Sequence, residues 1–174
     1  LSLHRAQLAP IVREALDAFA PIARSRGVTI DATLDESLEG MVDADGLRQI
    51  LLNLVDNAVK YGPPGQTIRV TLGAVGDGVV LVVQDEGPGI PEDERQRVWA
   101  PYYRLAADAE GSVGGSGIGL SVVRDLAERM GGHAYVSARR EVGKRGARFV
   151  VELQGNREAP VMAPVATATT TPSA

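Results

Sequence analysis

At 174 residues, with a net charge of −4, two histidines and no cysteine, the chain is one domain with trimmings, long enough to bury a core. The acidic balance and the absence of a basic run exclude nucleic acid and an anionic membrane surface as partners. Without cysteine there are no disulfides and no thiolate metal sites, so a cytoplasmic setting is the default. No apolar stretch is long enough to span a bilayer, so no direct membrane contact is expected, and nothing reads as a signal peptide. Opening on Leu1 rather than Met, the chain reads as cut from something longer.

The apolar spacing predicts an amphipathic helix over residues 8–23, a strand over 28–34 and a short extended piece at 41–43. A second helix is predicted over 44–61, stopped by Gly62, Pro63, Pro64 and Gly65. On it Gln49, Asn53, Asp56, Asn57 and Lys60 fall within about a quarter-turn, while Leu47, Ile50, Leu51, Leu54, Ala58 and Tyr61 fill the opposite side. Leu52 and Val59 flank the polar stripe. Two readings stand: a solvated face with incidental asparagines, or a polar band facing a pocket. In the second, the carboxamide oxygens of Asn53 and Asn57, spaced i, i+4, point at one hard cation and Lys60 adds a charge for phosphate.

Two β-rich runs at 67–72 and 79–84, joined by Gly73, Gly76, Asp77 and Gly78, read as a hairpin. Residues 85–117 follow, rich in glycine, proline and charge, with at most one helical turn. A loop this long in a compact domain is usually functional. It opens with Asp85, Glu86, Gly87, Pro88, Gly89 and Ile90 after an apolar strand. Asp85 is placed either to accept a hydrogen bond from a ligand donor or simply to build a turn. It closes with Gly114, Gly115, Ser116, Gly117, Ile118, Gly119 and Leu120 at a helix start, which suits an anion or a ligand-free hinge. A helix over 118–130 ends at Gly131 and Gly132, and strands at 133–138 and 147–153 form a hairpin across Lys144, Arg145 and Gly146. Beyond Asn156 the Ala, Pro and Thr composition predicts a disordered tail, giving a domain over 1–154 and a tail over 155–174.

Several chemistries are absent. There is no G-x-x-x-x-G-K-[ST] loop, and the glycines at 115, 117 and 119 have the wrong spacing for a dinucleotide fingerprint. There is no nucleophile elbow and no histidine cluster for a metal; His4 and His133 read as structural.

Four stretches taken in order carry more than any one of them. Residues 53–61 (NLVDNAVKY), 85–90 (DEGPGI), 98–104 (VWAPYYR) and 115–120 (GSGIGL) follow the order of the N, G1, F and G2 boxes. Over residues 1–154 the chain thus resembles the catalytic and ATP-binding domain of bacterial sensor histidine kinases, within a superfamily that includes DNA gyrase, a mismatch-repair ATPase and a heat-shock chaperone. Gly146, Ala147, Arg148 and Phe149 look like the family's final glycine motif, with Ala where Thr or Ser is usual. The resemblance implies an α/β sandwich of the Bergerat type: a mixed β-sheet covered on one face by three helices, with a flexible ATP lid over 91–116. It implies ATP and Mg²⁺ as cofactors, with Asn57 and Asn53 on the metal, and Lys60 and Tyr61 near the phosphates. Asp85 would accept the adenine amino group, Gly87, Gly89 and Ile90 would shape its pocket, and Tyr103 and Arg104 would meet the nucleotide, Arg104 at the terminal phosphate. Gly115, Gly117, Ile118, Gly119 and Leu120 would wrap the triphosphate. Gln49, one turn before Asn53, joins the set with the least defined role.

By the same resemblance the partners are a histidine-bearing dimerisation domain upstream of Leu1 and a response regulator, and the whole fits the cytoplasmic portion of a membrane-anchored receptor. Neither His4 nor His133 has the surroundings of a phosphoacceptor, so the chain reads as a kinase half without its acceptor. Two other classes compete: a serine kinase of the anti-sigma-factor type, expected to lack the VWAPYYR element, and a nucleotide-binding scaffold without transfer chemistry.

Overall fold

The computed structural model describes residues 1–105, 116–138 and 145–155. In chain order the elements are β1 (His4–Gln7), α1 (Leu8–Ser25), β2 (Thr29–Leu34), β3 (Glu39–Val42), α2 (Ala44–Tyr61), β4 (Thr67–Val75), β5 (Gly78–Gln84), α3 (Gly119–Arg129), β6 (His133–Ser137) and β7 (Arg148–Leu153). Two 3-10 turns, Glu92–Glu94 and Arg97–Trp99, punctuate the segment between β5 and α3.

Five strands form one mixed sheet in the order β2-β4-β5-β7-β6, with β2 parallel to β4 and every other pair antiparallel. The register decides which face is core. One row across the sheet reads Ala32, Val70, Val83, Phe149, Val136; the next reads Asp31, Arg69, Gln84, Arg148, Ser137. Alternation sends the apolar row beneath the three helices and the polar row to the opposite face. The expected sandwich, a mixed sheet with three helices on one face, is the fold observed.

The helices form where the sequence periodicity demands. In α1, Leu8, Ile11, Val12, Ala15, Leu16, Phe19 and Ala23 are buried at three- and four-residue intervals. In α2, Leu47, Ile50, Leu51, Leu54, Val55 and Ala58 are buried, and the helix occupies the residues anticipated for it. Its start is fixed by Asp43, whose Oδ1 accepts from the Gly46 amide at 2.8 Å. Helix α3 ends where Gly131 takes φ +73°, a left-handed backbone that favours glycine.

Three expectations need correction. The polar lead around His4 is a strand, β1, paired antiparallel with β3 in a separate two-stranded ribbon. Four residues of mixed polarity carry no strand signal, and the pairing is supplied by residues more than thirty positions away. The hairpin strands β4 and β5 run on through Gly73 to a tight turn at Gly76, because the ladder outlasts the apolar pattern. The start of the anticipated lid is anchored: Val98 and Trp99 are 7% and 3% exposed, and the indole meets Phe149 edge-on at 6.0 Å. Trp99 therefore belongs to the core. Gly115, Lys144 and the anticipated tail beyond Gly155 lie outside the described residues, while Gly155 itself bridges Gly40.

Candidate functional site

From Asn53 onward, the polar stripe of α2 faces a cavity of about 200 Å³. Asn53, Asp56, Asn57, Lys60 and Tyr61 form its first wall. Opposite them stand Asp85, Pro88, Gly89 and Ile90 after β5, then Val98, Tyr103, Arg104 and Leu105. Ser116, Gly117, Gly119 and Leu120, at the start of α3, close a third side, and Ala147 and Phe149 of the β7 end form the floor. All four motif stretches thus meet around one space.

On the α2 wall, Lys60 Nζ pairs with Asp56 Oδ2, and Asn53 Oδ1 accepts from Gln49 Nε2 at 3.1 Å. A Cβ on Gly119 would lie 3.9 Å from Asn53 Oδ1 and 4.0 Å from Asn57 Oδ1, so the start of α3 looks directly at both asparagines. Carboxamide oxygens on one side and the free amides of a helix start on the other suit a hard cation held against an anion. Among the described residues no trio of His, Cys, Asp or Glu gathers to hold a metal. The asparagine pair, with room for water, fits Mg²⁺, which keeps several waters when bound.

The Asp85 wall is built differently. Asp85 is 4% exposed, and its Oδ1 accepts from the amides of Gly87 (2.8 Å) and Ala147 (2.9 Å). Its own amide donates to Ala147 O at 3.0 Å, which locks the strand end to the floor of the cavity. Glycine at 87 is required by space, since a Cβ there would come within 2.9 Å of Tyr61 O. Glycine at 89 is required by its φ of +81° and by Gly146 O, 3.1 Å from where a Cβ would sit.

The segment at 92–104 is held by its own contacts. Tyr103 OH donates to Glu94 Oε2, and Arg97 stacks over the Tyr103 ring at 5.0 Å from its centroid. The bond to the Glu94 carboxylate, with burial, raises the Tyr103 phenol above its ordinary value. Tyr102 takes φ +63°, and its amide donates to Gly117 O at 2.9 Å. A bulky residue in that backbone region carries strain, here at the seam between the arginine segment and the glycine segment.

Most of the anticipated site residues line this cavity. Four do not. Gln49 is exposed and reaches only Asn53. Gly87 stands behind Asp85 and supports it. Ile118, 36% exposed, turns outward at the start of α3. Gly115 lies outside the described residues. Tyr61, assigned by angle to the apolar side, instead reaches the cavity, because the last turn of α2 overhangs its edge. Among the described residues, Asp56, Pro88, Val98, Leu105, Ser116, Ala147 and Phe149 also line it without having been singled out as ligand contacts. Asp56 was within reach of the sequence, being on the same stripe; Ala147 and Phe149 belong to the stretch read as the final glycine motif, and bonds to Asp85 and the β5–β7 pairing bring them to the floor.

The sheet, the helical cover and the four-sided cavity define a nucleotide-binding domain. The profile of the histidine kinase-, DNA gyrase B- and HSP90-like ATPase family matches residues 42–157, and the chain belongs to that family. It is 35% identical over 157 residues to the sensor histidine kinase TmoS of Ectopseudomonas mendocina, covering 90% of this chain but 16% of TmoS. The mycobacterial sensor histidine kinase MprB superposes with a TM-score of 0.74 at 29% identity, over 88% of this chain and 97% of that one. Full-length ShkA, solved in complex with AMPPNP, gives 0.75 at 30% identity, over 89% of this chain and 31% of that one. Among the described residues no helix is long and apolar enough to cross a membrane.

Proposed function

We propose that this chain is the part of a sensor histidine kinase that binds Mg-ATP and presents its γ-phosphoryl to a histidine on a separate helical dimerisation domain, for relay to a response regulator. The observation that carries this reading is the meeting of the asparagine pair, Lys60, Arg104, Asp85 and the start of α3 around one cavity. Asn57 and Asn53 would hold Mg²⁺, which when bound neutralises phosphate charge. Lys60, Arg104 and the amides at the start of α3 bind and orient the phosphates, while Asp85 accepts a hydrogen bond from the adenine amino group. In the transfer, an imidazole nitrogen of the acceptor forms a bond to the γ-phosphorus as the bond to the bridging oxygen breaks, and ADP leaves with that electron pair. No side chain of this chain need become covalently modified; its work is positioning and charge stabilisation. The relatives are sensor histidine kinases and the VWAPYYR element is present, which favours this reading over a serine kinase.

The test is transfer in trans. Incubated with γ-labelled ATP and Mg²⁺, the chain alone should gain no acid-labile label, since neither His4 nor His133 lines the cavity. Label should appear on an added histidine-bearing helical domain from the same protein. Acid-labile labelling of the chain by itself, or none on the added domain, would overturn the proposal.

A further inference from the structure

Among the described residues, two polar side chains are almost completely buried: Asp85 of the cavity wall, and Gln66 at 1% exposure, which does not line the cavity. The Gln66 carboxamide spans two elements that do. Its Nε2 donates to the carbonyl of Ala58 at 2.6 Å, one residue past Asn57 and two before Lys60. Its Oε1 accepts from the amide of Glu86 at 3.1 Å, one residue past Asp85. Its backbone carbonyl accepts from the Thr29 amide at 3.0 Å, and the Glu86 carboxylate accepts from the Thr67 amide at 3.2 Å, so the bridge is itself braced on both sides. The carboxamide also lies flat against Gly62, where any Cβ would collide with it.

We propose, resting on the nucleotide reading of the cavity, that Gln66 is a positioning residue. Its carboxamide fixes the spacing between the phosphate-facing end of α2 and the base-facing turn at Asp85, so that one ligand meets both at once. Asp85 keeps its own support from Gly87 and Ala147 without Gln66, and the asparagines keep theirs from the helix. Loss of the bridge therefore leaves those supports in place and loosens the separation of the walls, which the packing of Gly87 against Tyr61 O then holds without this hydrogen-bonded tie. A ligand touching both walls loses the advantage of preorganisation, whereas a fragment touching one does not.

Two variants of the full chain reach this by different routes. Gln66→Met keeps the volume and removes both hydrogen bonds; Gly62→Ala keeps Gln66 and displaces its carboxamide. Calorimetric titrations with Mg-ADP, adenosine and Mg-tripolyphosphate should show Mg-ADP weakened about tenfold in both variants, with adenosine and tripolyphosphate within about twofold of wild type. Unchanged Mg-ADP affinity alongside a lowered melting temperature would make Gln66 structural only and overturn the proposal, as would equal weakening of all three ligands. Should Gln66→Met fail to fold, Gly62→Ala decides alone. A wild-type chain that binds no Mg-ADP would instead bring down the nucleotide reading, and this inference with it.

Discussion

The cavity has a regular wall and an irregular one. Helix α2 brings Asn53, Asp56, Asn57 and Lys60 together by helical spacing alone, with no contact to another element needed to align them. Residues 85–105 put Asp85, Tyr103 and Arg104 beside them only through a chain of specific contacts: amides on Asp85, the Tyr103–Glu94 bond, and Trp99 buried against Phe149. The same function thus rests on propensity and burial on one side, and on satisfied polar groups on the other. Substitution on the regular wall should remove ligand contacts and spare the fold. On the irregular wall the two losses should come together.

The sharpest break is Asp85→Ala. It orphans two buried amides, each costing roughly 1 to 3 kcal/mol, and removes the proposed acceptor for the base as well. Chemical denaturation should show that loss of stability, and Mg-ADP binding should vanish. Asp85→Asn separates the two effects: its side-chain oxygen still accepts from Gly87 and Ala147, while its NH₂ presents a donor where adenine offers one. That variant should fold and weaken adenine nucleotides much more than tripolyphosphate. Equal losses for both ligands would show that Asp85 shapes the cavity without reading the base.

Next in size is Asn57→Ala, on the regular wall. The melting temperature should hold, since the side chain is half-buried and faces the cavity. The Mg²⁺-dependent part of ADP affinity should fall by about 1.5 to 3 kcal/mol, the range for a hydrogen bond to a charged group. Titrations with and without Mg²⁺ measure it directly. A large drop in melting temperature with the Mg²⁺ increment preserved would erase the distinction between the walls.

This difference also explains what could be read from the sequence. The extent of α2 and its stripe were readable because a helix converts spacing into direction without help. Asp85 and the glycines were recognisable only as ordered motifs. Their reasons are tertiary: Gly87 must pass Tyr61 O, and Gly89 must pass Gly146 O, contacts that no local pattern announces. Gln66 left no signal at all. It stands beside a Pro-Pro-Gly turn, and its burial is set by two elements that meet only in the folded chain. Strand β1 was hidden for the same reason, and Trp99 was misplaced because an aromatic in a glycine- and proline-rich stretch gives no hint of the strand that covers it.

A smaller effect is expected at the start of the regular wall. Asp43 caps α2 through the Gly46 amide and also accepts from the Ser2 amide at 2.6 Å, bonds that hold its carboxyl below the ordinary 3.8. A lowered folded value means that the stability it contributes is complete above 3.8 and is lost as the pH falls through the folded value. Melting followed from about pH 5 down to about pH 2 should fall less steeply for Asp43→Asn than for wild type. Parallel slopes would show that the cap carries no linkage.

The smallest effect is assigned to Gln49→Ala, and it sharpens the comparison most. Gln49 sits on the same helical stripe as Asn53 and Asn57, so spacing alone makes it a member of the site. The structure leaves it exposed, outside the cavity, with a single hydrogen bond to Asn53 Oδ1. In the proposed reading that oxygen is one of the two that would face the cation, so Gln49 would compete for its lone pairs as much as orient it. Alanine is also the better helix former, by up to about 0.7 kcal/mol, which offsets the lost bond. Mg-ADP affinity should therefore change by less than about twofold, and the melting temperature should hold or rise slightly. A loss comparable to that of Asn57→Ala would show that the stripe acts through its full length, and that the site extends one turn beyond the cavity edge.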